Sequence, residues 1–249
     1  MSIQLPLFPL QNIVLFPNMV LPLHIFEPRY VRMTEACLKG DRRFGVVLIA
    51  SGEEVGGPAV PCKVGTIAHI REHREMEAGR YMLITVGEQR VRIVAFHEED
   101  ERLVADVEPL ADEPAAPAVV EPLQREVAEL AIENFRLIRE VVGPQLHEPT
   151  LPSEPAALSF FIAAGLQVEP PERQALLELT DTAARLTRER DVLRAEVANL
   201  ARRLEIHDEV EHVRGGNGKL KHAEHLDRET LRGFDPDGGL GPDPAERGK

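Results

Sequence analysis

The chain has 249 residues, of which 43% are hydrophobic, which is enough to bury at least one sizeable core. Acidic side chains outnumber basic ones by 42 to 29, and the resulting formal net charge of -13 repels a phosphate backbone. Tryptophan is absent and aromatic residues make up only 4% of the chain, so few side chains could stack on nucleic-acid bases. The composition therefore predicts a globular protein that does not bind nucleic acid.

Neither a membrane span nor a metal centre is expected from the sequence. The first residues lack a basic segment followed by an apolar run, and no stretch reaches the roughly 18 apolar residues of a transmembrane helix. Two isolated cysteines, Cys37 and Cys62, cannot form a tetrahedral thiolate zinc site or a framework of several disulfides. We expect a cytoplasmic protein without a cofactor, in which both thiols are reduced and structural.

Residues 1–112 predict a compact β unit, because short β-branched runs alternate with Gly, Pro or charged clusters. The predicted strands are Ile13–Phe16, Met19–Leu23, Phe44–Ile49, Val64–Ile70, Tyr81–Val86, Val91–Phe96 and Leu103–Val107. Because proline cannot donate to a ladder, strand ends or edges are expected at Pro6, Pro9, Pro17 and Pro22. Apolar residues at helical spacing predict one helix among the strands, over Pro28–Leu38.

Residues 113–122 are rich in proline, alanine and acids, which predicts a linker between two differently built parts. The apolar spacing then changes to about 3.6 residues, which predicts a helical part over 123–213. Its helices are expected from Leu123 to Gly143, from Glu154 to Gly165 with Ser153 as cap, and from Pro171 to about Glu211. Residues 214–249 hold too few apolar side chains to offset the cost of ordering, which predicts a disordered tail.

Several motifs follow one another along the chain in a specific order. They are LPLFPL at Leu5–Leu10, VLFP at Val14–Pro17, LPLHIFEPRY at Leu21–Tyr30, Phe44–Ile49, Val64–Ala68, Gly79-Arg80, Gly87–Ile93, Gln174–Glu178 and Arg185-Leu186. In this order they resemble the amino-terminal, substrate-binding domain of Lon proteases over roughly residues 3–206. The resemblance implies an α+β fold, in which a small β-barrel-like (PUA-like) domain precedes a carboxy-terminal helical bundle with one long helix.

Lon proteases also carry an ATPase module and a Ser-Lys peptidase module, and the sequence shows signatures of neither. No phosphate loop of the G-x-x-x-x-G-K-[ST] type occurs, since the nearest match, Gly215–Leu220, lacks the spacing and the hydroxyl for magnesium. A G-x-S-x-G nucleophile elbow is absent too, and two lone cysteines exclude the paired zinc ligands of relatives with a RING finger. We expect a stand-alone form of the domain that is not an enzyme.

The first candidate site is the segment Glu27-Pro28-Arg29-Tyr30, in which two opposite charges and a phenol could hold a peptide terminus or backbone. A structural ion pair at the start of a helix explains Glu27 and Arg29 by geometry alone, and is the interpretation we favour. Met76 and Tyr81 are weaker candidates for protein contact, because they flank a predicted mobile hairpin. His69 and His73 have metal-ligand spacing only on a helix, whereas their segment predicts a strand.

The resemblance implies a module that binds unfolded or exposed protein segments in protein quality control, with a groove or flexible apolar side chains as the contact surface. An alternative is an adaptor that self-associates through residues 172–206, where leucine recurs at Leu179, Leu186, Leu193 and Leu200. Packing of these leucines onto the first long helix explains the same spacing. A metabolite-binding β unit is a third possibility, because a fold does not fix a function.

Overall fold

The computed structural model describes residues 3–52 and 59–216 of the chain. The strands are β1 Ile3–Leu10, β2 Val20–Ile25, β3 Arg43–Gly52, β4 Ala59–Pro61, β5 Val64–Glu75, β6 Tyr81–Glu99 and β7 Arg102–Pro109. The helices are α1 Pro28–Lys39, α2 Pro117–Val142, α3 Pro155–Gly165, α4 Pro170–Glu178 and α5 Thr182–Gly216. The mixed helix and sheet content confirms the predicted class, and α1 confirms the helix expected among the strands.

The chain divides into two compact units, residues 1–201 and residues 202–249. The first unit contains the described strands, α1 to α4 and the beginning of α5. Residues 113–122, which the sequence predicts as a linker, lie inside this first unit. Of the second unit the structure describes residues 202–216, which are the end of α5, so the predicted tail lies largely outside the described residues.

The seven described strands form one sheet in the order β1-β7-β6-β5-β3-β4, with β2 paired to β6. Strand β1 changes its partner midway: Ile3–Pro6 pairs antiparallel with β7, and Leu7–Leu10 pairs parallel with β3. Each of β1, β7, β6, β5 and β3 therefore pairs with the next, and β3 pairs with β1 again. The finer description as a PUA-like, barrel-like domain stays a prediction.

The predicted strand Ile13–Phe16 is wrong, because this run pairs with no strand of the described sheet. Its last three residues are nonetheless buried, so the hydrophobic pattern indicated burial and not pairing. The first strand lies earlier, over Ile3–Leu10, and contains Pro6 and Pro9. Each half of β1 pairs with one neighbouring strand, so a proline is tolerated where its nitrogen, which has no N–H to donate, faces the unpaired edge.

The predicted linker is wrong over residues 117–122, because α2 begins at Pro117. Proline fits the first position of a helix, where its missing N–H would have no partner in the helix anyway. Pro122 lies inside the second turn, so it removes only one hydrogen bond near the helix start. The end of α2 is as predicted: Gly143 follows the last helical residue with a φ of 117°, a conformation that favours glycine.

The single helix predicted from Pro171 to about Glu211 is wrong, because the structure has two helices, α4 and α5, in this region. They are separated at Asp181, whose carboxylate accepts hydrogen bonds of 2.8 and 3.1 Å from the N–H groups of Ala183 and Ala184. An aspartate that satisfies these unpaired N–H groups is a typical start of a helix. The sequence pattern missed it because the leucine spacing continues across the break.

The start of α3 also differs from the prediction. Glu154, and not Ser153, caps this helix, and its carboxylate accepts hydrogen bonds from the N–H groups of Ala156 and Ala157. A carboxylate at this end also interacts favourably with the positive end of the helix dipole.

Three hydrophobic clusters stabilise the first unit. The first lies between the sheet and α1 and includes Leu21, Leu23, Ile25, Tyr30, Met33, Tyr81 and Leu83. The second joins the sheet to the helices and includes Phe16, Val64, Val127, Leu158, Leu176, Leu186 and Leu193. The third lies among β1, β3, β5, β6 and β7 and includes Leu5, Leu7, Val47, Ile67, Val91 and Val107.

Candidate functional site

Strand β2 pairs with β6 in a regular antiparallel register that runs from Val20 opposite Val86 to Ile25 opposite Tyr81. Alternate side chains of a strand point to opposite faces of the sheet. One face of β2 and β6 packs into the cluster with α1. The other face, which we call the apolar face, consists of Val20, Pro22, His24, Phe26, Met82, Ile84 and Val86.

The apolar face is unusually exposed for its chemistry. Val20 is 56% exposed, Phe26 55% and Met82 38%, while Ile84 and Val86 are half-buried. The outward side of an antiparallel sheet usually carries polar residues, because only its inner side packs on the core. Contiguous exposed apolar surface on a domain marks a site of interaction with protein, membrane or ligand. The apolar face is therefore the candidate functional site.

Met76 extends the apolar face at one end. Its backbone N–H donates a 2.8 Å hydrogen bond to the carbonyl oxygen of Arg80, so the two residues lie opposite each other at the tip of the β5–β6 hairpin. Phe26 directly follows Ile25, whose partner is Tyr81, and so lies beside Arg80. The Met76 side chain is exposed, and its contact with a partner stays a prediction.

Tyr81 is poorly placed for such a contact. Its side chain is 8% exposed and belongs to the core cluster that includes Tyr30 and Leu83. This burial argues against a partner contact by the Tyr81 side chain, and no finding tests the contact itself. Tyr81 and Met82, adjacent in sequence, point to opposite faces of β6, and only Met82 points outward.

The segment Glu27–Tyr30 begins α1, directly after Phe26. Arg29 donates a hydrogen bond of 3.0 Å from Nε to the carboxylate of Glu27, and both side chains are 18% exposed. The Arg29 guanidinium also lies 4.6 Å from the centroid of the Tyr30 ring. Tyr30 itself is buried against Phe8, with 4.5 Å between ring centroids. This is the geometry of a local ion pair over a core aromatic residue, and it borders the apolar face.

A charged cluster formed by residues of β3, β5 and β6 lies beside the apolar face. The carboxylate of Glu88 accepts hydrogen bonds from Arg43 at 2.8 Å and from Arg71 at 3.5 Å, and lies 2.9 Å from Nδ1 of His69. Burial alone would raise the pKa of Glu88, but the hydrogen bonds and charges of Arg43 and His69 outweigh it and lower that pKa. His69 lies on a strand, as predicted, and its ring is held by a carboxylate.

The two cysteines have no arrangement that favours catalysis. Burial, with a smaller contribution from Asp41, raises the pKa of the Cys37 thiol to about 11, so it is protonated at neutral pH. Burial and Glu178 also raise the pKa of the Cys62 thiol. A thiol must lose its proton to be a good nucleophile or metal ligand. Among the side chains described, those of residues 3–52 and 59–207, no three His, Cys, Asp or Glu form a group that could hold a metal ion.

The sheet, the helices that follow it and the exposed apolar face define a mixed α/β domain with a surface suited to another molecule. The sequence matches the family described as the ATP-dependent protease La (LON) substrate-binding domain over residues 4–195. The chain belongs to this family, which confirms the predicted resemblance.

Similar proteins are Lon proteases and Lon N-terminal domains. The chain is 32% identical over 205 residues to Lon protease 2 of Myxococcus xanthus, covering 76% of this chain and 24% of that protein. It is 29% identical over 191 residues to the Lon protease of Escherichia coli strain K12, covering 74% and 24%. The chain thus spans about a quarter of the length of the curated relatives it matches.

Two solved structures share the fold. A Lon N-terminal domain protein from Xanthomonas campestris superposes with a TM-score of 0.55 at 27% identity, covering 75% of this chain and 96% of that one. The N-terminal domain of the Mycobacterium avium complex Lon protease gives a TM-score of 0.58 at 17% identity, covering 77% and 98%. In the part of our chain that the structure describes, none of the helices combines the length and the apolar character needed to cross a membrane.

The apolar face itself was missed by the sequence analysis, although both of its strands were predicted in part. A signal for it is present in the sequence. The runs Val20–Phe26 and Tyr81–Val86 are apolar at nearly every position, not at every second one. In an antiparallel sheet with one face on the core, such a run predicts that the outer face is apolar as well.

Proposed function

We propose that this chain is a non-catalytic module that binds unfolded or exposed polypeptide segments through the apolar face, and that it serves protein quality control in the cytoplasm. The observation that carries the proposal is the exposure of Val20, Phe26 and Met82 on one side of a well-packed pair of strands. Removing apolar surface from water contributes about 25 cal/mol per Å². The description of the family as a substrate-binding domain supports a protein ligand.

The chemistry of the apolar face favours unfolded over folded clients. A folded protein keeps most of its large apolar side chains in its core, whereas an unfolded chain offers them to any partner. The exposed methionines of the site, Met76 and Met82, add adaptability, because an unbranched thioether side chain fits differently shaped partners. We therefore expect broad client recognition with no fixed sequence.

The first experiment compares binding to one client in two states. A small disulfide-bonded protein is fluorescently labelled and titrated with the purified chain, once folded and once reduced and alkylated, and fluorescence anisotropy is recorded. Binding to the unfolded form alone is the expected result. Equal binding to both forms, or none to either, would contradict the proposal.

A double substitution then tests the surface. In Val20→Glu with Met82→Glu, two charges on the apolar face would have to lose water on binding, so we expect affinity for the unfolded client to fall at least about tenfold. The matched control is Val119→Glu with Val141→Glu, which places the same charges on exposed apolar positions of α2. Melting curves must be alike for both variants. A loss of affinity in the control variant alone would assign binding to α2.

Self-association through residues 172–206 stays a prediction, and two of its leucines have another role. Leu186 and Leu193 are buried in the cluster that also contains Val127 of α2. Leu193→Asp is therefore expected to unfold the first unit, because a charge would enter its core. A folded Leu193→Asp chain that had lost a wild-type dimer would instead favour the adaptor function.

A further inference from the structure

The outer edge of β2 is poorly suited to pairing with an added strand. The N–H of Gly87 donates a 2.9 Å hydrogen bond to the carbonyl oxygen of Met19, which fixes the phase of the ladder between β2 and β6. Because hydrogen-bonded pairs alternate in an antiparallel ladder, the backbone groups of Val20, Pro22 and His24 point away from β6. Pro22 has no N–H, so an added strand would lack a donor at the centre of this edge. Side chains, and not strand addition, must hold a segment here.

The spacing of these side chains matches an extended segment. Val20, Pro22, His24 and Phe26 recur at every second position, and the first three lie opposite Val86, Ile84 and Met82. At about 3.3 Å per residue, alternate positions of a strand are about 6.6 Å apart. An extended polypeptide repeats its side chains at the same distance, so apolar side chains at alternate positions fit the rows of the apolar face.

One polar atom on the apolar face has no hydrogen-bond partner among the residues that the structure describes. Nε2 of His24 is buried and makes no hydrogen bond, and among the described side chains in this condition it is the one that lies on the apolar face. The exposed ring of Phe26 lies against it, with 5.7 Å between ring centroids. A buried polar atom without a hydrogen-bond partner destabilises the folded protein. One explanation for its presence is a ligand that supplies the missing hydrogen bond.

We propose that His24 is the main-chain recognition point of the apolar face. An extended segment with apolar side chains at alternate positions displaces the Phe26 ring and forms a hydrogen bond between its backbone and Nε2 of His24. Either tautomer serves, because a protonated Nε2 donates to a peptide carbonyl and an unprotonated one accepts from a peptide N–H. This inference rests on the proposed function and adds to it the binding mode and the contact residue.

Two substitutions of His24 distinguish a hydrogen bond made by this residue from a contact that depends only on the shape of its side chain. His24→Leu removes the polar atom and keeps an apolar side chain, so we expect affinity for the unfolded client to fall about five- to tenfold. Its Tm should stay equal or rise, since the folded protein loses an unpartnered buried polar atom. His24→Gln keeps a donor and an acceptor at a similar reach and should retain most of the affinity. The matched control is His97→Leu on the exposed end of β6, which should change nothing.

The outcomes separate this inference from the proposed function. Wild-type protein that fails to bind the unfolded client overturns the proposed function, and the inference with it. Wild-type binding that His24→Leu leaves unchanged overturns the inference alone. If His24→Leu and His24→Gln weaken the affinity for the unfolded client equally, the inference is also overturned, because binding would then depend on the shape of the side chain and not on a hydrogen bond. A lowered Tm in His24→Leu assigns the residue a structural role.

Discussion

Arg185 reaches the carboxylate of Asp112 with two hydrogen bonds, of 2.9 and 3.2 Å, although 73 positions separate the two residues in sequence. Arg90 of β6 donates to the same carboxylate and also to the carbonyl oxygens of Leu177 and Leu179. Arg185 is fully buried and Arg90 nearly so. One carboxylate, on the segment after β7, thus joins the sheet through Arg90 to α5 through Arg185.

Arg185→Met is expected to destabilise the protein strongly. The substitution keeps the aliphatic volume but leaves Asp112 with one cation fewer in a partly buried site, and breaking a buried pair typically costs about 3–5 kcal/mol. Urea unfolding at pH 7 measures the change. The control is Arg188→Met, which removes an exposed pair with Glu172 and should cost about 1 kcal/mol or less. Similar losses in both variants would contradict this role of Arg185.

Glu189 makes stability depend on pH. Burial raises the pKa of its carboxyl to about 8, against the hydrogen bond from Ser159 and the charge of Arg185, which lower it. The folded protein then holds a proton that the unfolded chain releases near its usual pKa of 4.5. The stability that this proton contributes is complete below about pH 4.5 and is lost as pH rises to about 8.

Glu189→Gln isolates this contribution, because glutamine cannot ionise and still accepts a hydrogen bond from Ser159. We expect the difference in unfolding free energy between variant and wild type to grow in favour of the variant from pH 5 to pH 8, by a few kcal/mol in order of magnitude. Urea unfolding at several pH values measures it. A difference that does not change with pH would show that Glu189 is ionised throughout.

Gly87→Ala should destabilise the sheet beside the apolar face. A Cβ at this position would lie 2.2 Å from the backbone oxygen of Phe16, and backbone cannot move aside as a flexible side chain can. Overpacking of this kind costs about 1–3 kcal/mol. Gly165→Ala is the control, since it ends α3 and no described atom outside its own stretch of helix lies within 4 Å of its added Cβ. Thermal melting should show a lower Tm for Gly87→Ala only.

Glu27→Ala combined with Arg29→Ala tests the ion pair at the start of α1. Because both side chains are largely buried, we expect a loss of stability of about 1 kcal/mol and unchanged affinity for the unfolded client. Chemical unfolding and fluorescence anisotropy measure the two quantities on the same preparation. A weakened affinity with normal melting would instead assign Glu27 and Arg29 to the contact surface.

Local signals in the sequence were dependable where a single residue fixes the backbone. Pro28 predicts the first turn of α1, and Gly143 predicts the end of α2. The same kind of signal failed at Pro117 and Asp181, because proline and aspartate can both end one element and begin the next. Which of the two happens depends on what the flanking residues pack against, and local pattern does not contain that information.

The sequence by itself determined the family and the change from a strand-rich part with one helix to a helical part, because such patterns follow from local conformational preference and from the spacing of apolar residues. Only the tertiary structure decided that Tyr81 is buried while Met82 is exposed, that Asp112 receives both Arg90 and Arg185, and that Nε2 of His24, beside Phe26, has no partner in the described part of the chain. Each of these depends on strand register or on contacts between residues far apart in sequence. Such relationships arise when the chain closes on itself, so no local window of sequence carries them.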